Sequence, residues 1–212
     1  MKILVACEFS GIVRDAFIAR GHQAVSCDII PSMRSGPHLQ TDVLSILNDG
    51  WDLMIAHPPC TYLCSSGARW WKTRQKEQKA AISFVKKLMK APIPKIAIEN
   101  PVGILSSSIR KPEQIIQPFH FGHPVIKTTC LWLKNLPKLD STNIVTPKIV
   151  TLKTGARFSE WDYKISMNHK ERSKLRSITF EGIAQAMAEQ WGDESHTNRP
   201  DKSCGMDDGR QA

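Results

Sequence analysis

No stretch of this sequence approaches the roughly 18 consecutive apolar residues that a membrane-spanning helix requires, which excludes a helical membrane span. Cysteines are few and poorly placed for a structural metal. Of Cys7, Cys27, Cys60, Cys64, Cys130 and Cys204, only Cys60 and Cys64 lie close together, and no second pair stands nearby at zinc spacing. Several of the cysteines sit inside apolar runs, where the residue packs as a small hydrophobe. His120 and His123 flank Gly122 with no further ligand nearby, so no metal is expected. The G-x-G-x-x-G of a dinucleotide site is also missing, because the turn Cys7-Glu8-Phe9-Ser10-Gly11 carries a single glycine. There is no internal repeat. No leader pattern precedes the first strand-like run, so a reducing cytoplasm is the expected setting. Acidic charge is the scarcer sign. Twenty Asp and Glu stand against 29 Lys and Arg, a net +9. Such a balance favours polyanionic partners, nucleic acid first among them.

What is present is an alternation of apolar runs and amphipathic stretches. Lys2 to Cys7, Ala24 to Cys27, Leu53 to Ala56 and Ile96 to Ile98 read as strands. Between them, Ile12 to Arg20 and Arg74 to Met89 have helical spacing, Gly21 ends the first of these, and residues 42–47 suggest a short helix. This order predicts an α/β fold, a mostly parallel sheet flanked by helices. Further on, Ile126 to Leu133 reads as a strand of antiparallel sense. Ile144 to Leu152 is either an extended loop or an edge strand. Phe180 to Trp191 reads as a final helix capped by Thr179. Of the 212 residues, 1–192 are expected to form one domain, with 134–178 a small insertion. Residues 193–212 hold almost nothing apolar and read as a disordered polar tail.

Ligands of such sheets bind beyond the carboxyl ends of the strands. The chemically able residues gather there: Glu8, Phe9, Ser10 and Gly11; Asp28 and Ile29; His57, Pro58, Pro59 and Cys60; Glu99 and Asn100. Two prolines stiffen the turn before Cys60. The thiol reads either as a nucleophile held at a fixed point or as a buried cysteine in a tight turn. Glu99 reads as a carboxyl held partly protonated, able to donate to a ring nitrogen, or as a capping residue. Asn100 reads as an orienting residue that bonds the backbone of the Pro-Pro-Cys turn. Asp28 stands where an acidic residue bonds a ribose diol, and Asp42 could face an adenine edge, each with a helix-cap or loop alternative. Ser66, Arg69, Trp70 and Trp71 follow Cys60, while Arg172, Lys174 and Arg176 belong to a second basic cluster that starts at Lys170. Both suit phosphate contact and base stacking, or else are solvated faces. Lys127, with Thr128 and Thr129, opens a strand and could place polar groups in the same pocket.

Three of these blocks, in order, resemble the DNA cytosine-C5 methyltransferase family in a compact, phage-type form. Phe9-Ser10-Gly11 with Asp28 resembles the first cofactor loop. Pro58-Pro59-Cys60 with Ser66-Gly67 resembles the catalytic cysteine loop. Glu99-Asn100-Pro101 resembles the glutamate-asparagine-valine block. The resemblance implies a Rossmann-like methyltransferase fold, S-adenosylmethionine as methyl donor, and DNA as the partner of a bacterial or phage-infected cell. It also implies Cys60 as the nucleophile, with Glu99, Asn100 and Pro59 around it. The cofactor would lie against Glu8, Phe9, Ser10, Gly11, Asp28, Ile29, Asp42, His57 and Pro58. His57 replaces a usual glycine, Pro101 replaces a valine, and the family's glutamine-arginine-x-arginine block has only Lys127-Thr128-Thr129-Cys130 as its nearest candidate. The stretch between Leu133 and Thr179 holds a small insertion at most, in place of a target-recognition domain. RNA or a free nucleotide as substrate, an inactive nucleic-acid-binding protein, a homodimer and a separate recognition protein therefore stay open.

Overall fold

The computed structural model describes residues 1–167 and 171–193. The expected tail beyond Asp193, with Cys204, and Lys170 at the head of the second basic cluster lie outside the described residues. Nine strands and six α-helices run along the described chain: β1 Lys2–Ala6, α1 Ile12–Ile18, β2 Gln23–Asp28, β3 His38–Gln40, β4 Leu53–Ala56, α2 Gln75–Met89, β5 Lys95–Pro101, α3 Leu105–Ser108, β6 Gln114–Ile116, β7 Thr129–Lys134, β8 Ile149–Thr151, β9 Arg157–Ser159, α4 Glu160–Ser166, α5 Arg172–Ser177 and α6 Glu181–Gly192.

Seven strands form one sheet in the order β3-β2-β1-β4-β5-β7-β6. The first five are mutually parallel, and β7 runs antiparallel to both β5 and β6. The fold is therefore α/β with a largely parallel sheet flanked by helices. Central strands are apolar on both faces because both faces are covered. On one face Ile3, Val5, Leu53 and Ile55 pack under Phe17 of α1 and Met187 and Trp191 of α6. On the other, Leu4, Met54, Ile96 and Ile98 pack under Val85 and Leu88 of α2. Three deeply buried indoles each donate to a carbonyl: Trp51 to Ile46, Trp132 to Arg110 and Trp191 to Pro137. A core tryptophan buries its ring at low cost only when its N–H finds such a partner.

The strand order reverses between β1 and β4, which opens a crevice at their carboxyl ends. The turn at Phe9 and the turn at Pro58 flank that crevice. The antiparallel sense of β7 agrees with the sequence. The ambiguous run 144–152 resolves into β8, which pairs with β9 as a separate hairpin. With α4 and α5 this hairpin makes up most of the insertion. Thr179 does not cap the last helix; Phe180 occupies the N-cap position of α6, and no side chain caps it.

Candidate functional site

The site is built first by the register of β4 and β5. Ala56 lies opposite Ile98, so the next residues of the two chains meet beyond the sheet edge. His57 Nδ1 and Glu99 Oε2 are 3.2 Å apart, and Asn100 Nδ2 donates to the Pro58 carbonyl at 2.8 Å. These two cross-links fix the Pro58-Pro59-Cys60 turn against the end of β5. Pro58 is buried, Pro59 exposed and Cys60 half-buried.

Glu99 is 17 % exposed and His57 7 %. Burial alone would raise the Glu99 pKa, but the hydrogen bond and charge of His57, the charge of Lys127 and a hydrogen bond from Thr129 outweigh it and hold the carboxyl below its usual range. This corrects the expectation of a partly protonated Glu99: at rest it is a carboxylate. An ionised carboxylate only accepts, so the shared proton sits on His57 Nδ1. His57 Nε2 and Asn100 Oδ1 are buried without a partner among the described residues.

Lys127 is the third titratable group here. Its Nζ donates to the Arg176 carbonyl at 2.7 Å and sits 5.7 Å from the Phe180 ring centroid. Burial lowers its pKa, against the pull of Glu99, and Cys60 also acts to keep it charged. The Cys60 thiol is pushed up to about 11, chiefly by burial, then by Cys64 and Glu99, with Lys127 opposing. Cys60, Glu99 and Lys127 thus lie within electrostatic reach of one another. The resting Cys60 is a thiol, so its alkylation by iodoacetamide should accelerate about tenfold per pH unit up to roughly pH 11. Lys127→Met removes the one opposing cation and should slow that reaction at every pH below the plateau. A plateau near pH 8.5, that of an unperturbed thiol, would show an environment other than this one.

The chain after Cys60 is zipped to the chain after β5. Leu63 and Cys64 amides bond the Cys60 carbonyl, Ser65 N bonds Val102 O at 2.9 Å, and Ile104 N bonds Leu63 O at 2.9 Å. A Cβ on Gly103 would fall 1.9 Å from Leu63 O and 2.8 Å from Cys64 Cα, both backbone. Gly103→Ala should therefore pull the cysteine loop away, cost about 1–3 kcal/mol of stability, and raise the alkylation rate of Cys60. Unchanged melting and alkylation would show that the loop does not need this contact.

Across the crevice, the turn after β1 is organised around two buried charges. The Glu8 carboxylate accepts from Ser10 Oγ at 2.9 Å, Val13 N at 2.8 Å and Arg14 N at 3.3 Å. It caps α1, and with Ser10, which is buried beside it, shapes the turn. Gly11 sits at φ 77°, where a Cβ would lie 2.5 Å from the Arg14 guanidinium. Arg14 is fully buried and was not singled out by the sequence. Its guanidinium bonds Ser26, Ser32, the carbonyls of Arg34, Ser35 and Pro37, and Asp15. It staples the loop of residues 29–37, and Phe9 O accepts from Met33 N at 2.7 Å on the same loop.

Asp28 accepts from Ile30 N at 3.2 Å through Oδ1, which leaves Oδ2 without a partner among the described residues. Ile29 beside it is 75 % exposed. Asp42 caps a single 3-10 turn through Leu44 N at 3.0 Å, the helix-cap alternative. Cys7, at φ 56°, is half-buried, and burial of its thiol together with the charge of Asp28 pushes its pKa up strongly.

The predicted nucleic-acid contacts divide. Ser66 is exposed and its hydroxyl lies 3.1 Å from Cys64 Sγ; Arg69 is exposed and stacks over Trp70 at 5.2 Å; Trp70 is itself 54 % exposed. Trp71 is half-buried. Arg172 and Lys174 lie exposed on α5, whereas Arg176 is paired with Asp162. Among the described residues no cluster of His, Cys, Asp or Glu could hold a metal, and no helix is long and apolar enough to cross a membrane.

No family model and no curated protein matches the chain. Among solved structures, the chain is similar to an E. coli protein described as a "putative DNA modification methyltransferase encoded within prophage Cp". Identity is 20 % over 69 % of this chain and 50 % of that one, with a TM-score of 0.41. The chain thus spans about half the length of that structure. A likeness at this level lends no residue a role.

Proposed function

We propose that the chain is a nucleic-acid methyltransferase that modifies C5 of cytosine in DNA through a covalent bond to Cys60. The single observation that carries this reading is the convergence of Cys60 and Glu99 beyond the ends of the adjacent parallel strands β4 and β5, with Lys127 just ahead of the antiparallel β7 beside them, near the crevice where the strand order reverses. S-adenosylmethionine, which the family resemblance implies, would lie on the other side of that crevice. Asp28 keeps one oxygen open for a ribose diol, Ile29 offers an exposed apolar surface beside it, and the turn of Phe9 and Gly11 closes over the end of β1. When bound, that group supplies an electrophilic methyl on a sulfonium sulfur.

The protein's own residues do the rest. Cytosine C5 is a weak nucleophile until C6 is attacked. The Cys60 sulfur, once deprotonated, bonds to C6, and the C5–C6 π pair is released toward C5. Glu99 enters as a carboxylate, so it accepts from the exocyclic amino group of the ring. A proton for N3 would have to reach it from His57 Nδ1, the donor already in contact with Glu99. Lys127, when protonated, places positive charge near both the thiol and the ring. After methyl transfer, the C5 proton passes to solvent water, its C–H pair re-forms the C5–C6 double bond, and the Cys60 thiolate is expelled. In a duplex the base must leave the stack first, at a cost of a few kcal/mol.

A second reading, the same chemistry on RNA or a free nucleotide, draws support from the insertion. Between β7 and α6 the described chain holds only a two-stranded hairpin and two short helices. The deciding experiment incubates the protein with methyl-labelled S-adenosylmethionine and duplex DNA, single-stranded DNA, RNA or cytidine nucleotides, then identifies the labelled nucleoside. Label in 5-methyldeoxycytidine supports the first reading and label in 5-methylcytidine the second. Label on a ring nitrogen would overturn the covalent mechanism.

A further inference from the structure

A cavity of about 240 Å³ lies in the loop that follows Cys60, walled by Tyr62, Trp70, Trp71, Arg74 and Gln78. The chemistry above does not use it. Three features mark it as built to take something. The first is an orphaned donor. The buried indoles of Trp51, Trp132 and Trp191 each have a carbonyl partner, but Trp71 Nε1 is buried with none. A buried N–H left unpaired is unfavourable, and a ligand acceptor removes that cost. The second is Arg74, an exposed residue at the N-cap of α2, whose guanidinium stands at the rim of the cavity with no protein partner among the described residues and brings positive charge to it. The third is the shape. Three aromatic rings, of Tyr62, Trp70 and Trp71, contribute to the walls, and Gln78 Nε2 ties the loop to α2 by donating to the Tyr62 backbone carbonyl at 3.1 Å.

The volume is below the roughly 300–1,000 Å³ of pockets for drug-sized ligands and suits one planar ring system. No carboxylate lines it; its one buried unpaired group, Trp71 Nε1, and its one charged group, the Arg74 guanidinium, are both donors, while Thr61, Tyr62 and Gln78 add a hydroxyl, a phenol and an amide oxygen that can accept. The complement is a flat ring with two adjacent acceptors on one edge. Among the nucleobases guanine presents that edge, O6 beside N7, whereas adenine and cytosine place an amino donor there. A phosphate would match the donors but would leave the aromatic walls unused. We propose that this cavity is a second base pocket, taking a guanine next to the target on the same strand, with Trp71 and Arg74 reading its acceptor edge. The proposal rests on the nucleic-acid reading above and adds a determinant of sequence preference that needs no separate recognition domain.

The test is a titration of the full-length, 15N-labelled chain that involves neither methyl donor nor Cys60. Indole N–H resonances are followed on addition of deoxyguanosine, deoxyadenosine, deoxycytidine, thymidine or inorganic phosphate, each at millimolar concentration. Trp71→Phe assigns the Trp71 signal and keeps the ring. The expected result is a saturable shift of that signal with deoxyguanosine, with affinity at least about tenfold above the other nucleosides. Arg74→Gln should weaken it on the order of tenfold, with its melting temperature showing whether it remains folded. Equal response to all four nucleosides, response to phosphate alone, or no response of the Trp71 signal would each overturn the proposal. None of these outcomes bears on whether Cys60 transfers methyl groups, and a protein inactive in methyl transfer that still selects deoxyguanosine keeps the pocket and loses the enzyme.

Discussion

Cys60→Ala should abolish methyl transfer, by roughly four orders of magnitude or more, while leaving the fold in place. The size follows from the chemistry: without a bond to C6 the ring carbon is not activated, and removing a nucleophile commonly costs factors of this order or above. The fold should survive because Cys60 is half-buried and its thiol anchors nothing. The turn is held by its carbonyl, by Asn100 on Pro58 and by the zipper to Val102 and Ile104. Melting should shift by no more than about 1 kcal/mol equivalent. Binding of S-adenosylmethionine, followed by calorimetry, should be unchanged, since the residues proposed for it lie across the crevice. A variant that loses cofactor binding together with activity would point to a structural role for this cysteine.

Arg14→Ala is expected to do the opposite, destabilising the chain while touching no reacting atom. The guanidinium is 0 % exposed and bonds two hydroxyls, three carbonyls and a carboxylate. Removing it empties the fully buried space of the guanidinium, takes the donor from buried Ser26, and frees the half-exposed loop whose carbonyls and Ser32 it holds. Truncation of one side of a buried charged network costs about 3–5 kcal/mol, or roughly 10 °C in Tm for a chain of this size. Arg14→Lys keeps the charge but loses the fork and should recover only part. Arg34→Ala is the control: that side chain is 44 % exposed, and its surface pairs with Asp15 and Glu181 should be worth less than about 1 kcal/mol. Thermal unfolding of the three variants checks the order. A near-neutral Arg14→Ala would mean that the loop of residues 29–37 is not held as described.

The parts of the fold that the sequence makes legible are those buried on both sides. β1, β4 and β5 are apolar at every core position, so the run of hydrophobic residues reads directly as a strand. β3 and β6 do not read that way. His38-Leu39-Gln40 and Gln114-Ile115-Ile116 are edge-ward pieces of three residues, and their pairing is set by β2 and β7 rather than by their own pattern. The site divides along the same line. Strand ends are visible in sequence, so Cys60, Glu99 and Asn100 are found. What each carboxylate bonds is not, because that depends on contacts across the fold. Glu8 looks like a ligand group and turns out to cap α1, since the chain doubles back over it within five residues. Glu99 looks like a candidate acid and is a carboxylate, because His57, 42 residues away, meets it across the β4–β5 register. Arg14 falls beside Val13 in the buried stripe of α1, where a charged residue in sequence reads as exposed. Only the folded loop shows that six groups converge on it.

The most direct measurement of the central claim is covalent trapping. An oligonucleotide carrying 5-fluorocytosine at the methylated position lacks the C5 proton whose loss would release the enzyme, so the Cys60–C6 bond should persist after methyl transfer. With S-adenosylmethionine present, intact mass should show protein plus oligonucleotide plus one methyl group, and peptide mapping should place the link at Cys60, with no adduct in Cys60→Ala. An adduct on any other residue, or methylation of ordinary cytosine by Cys60→Ala at the rate of the unaltered protein, would contradict the account.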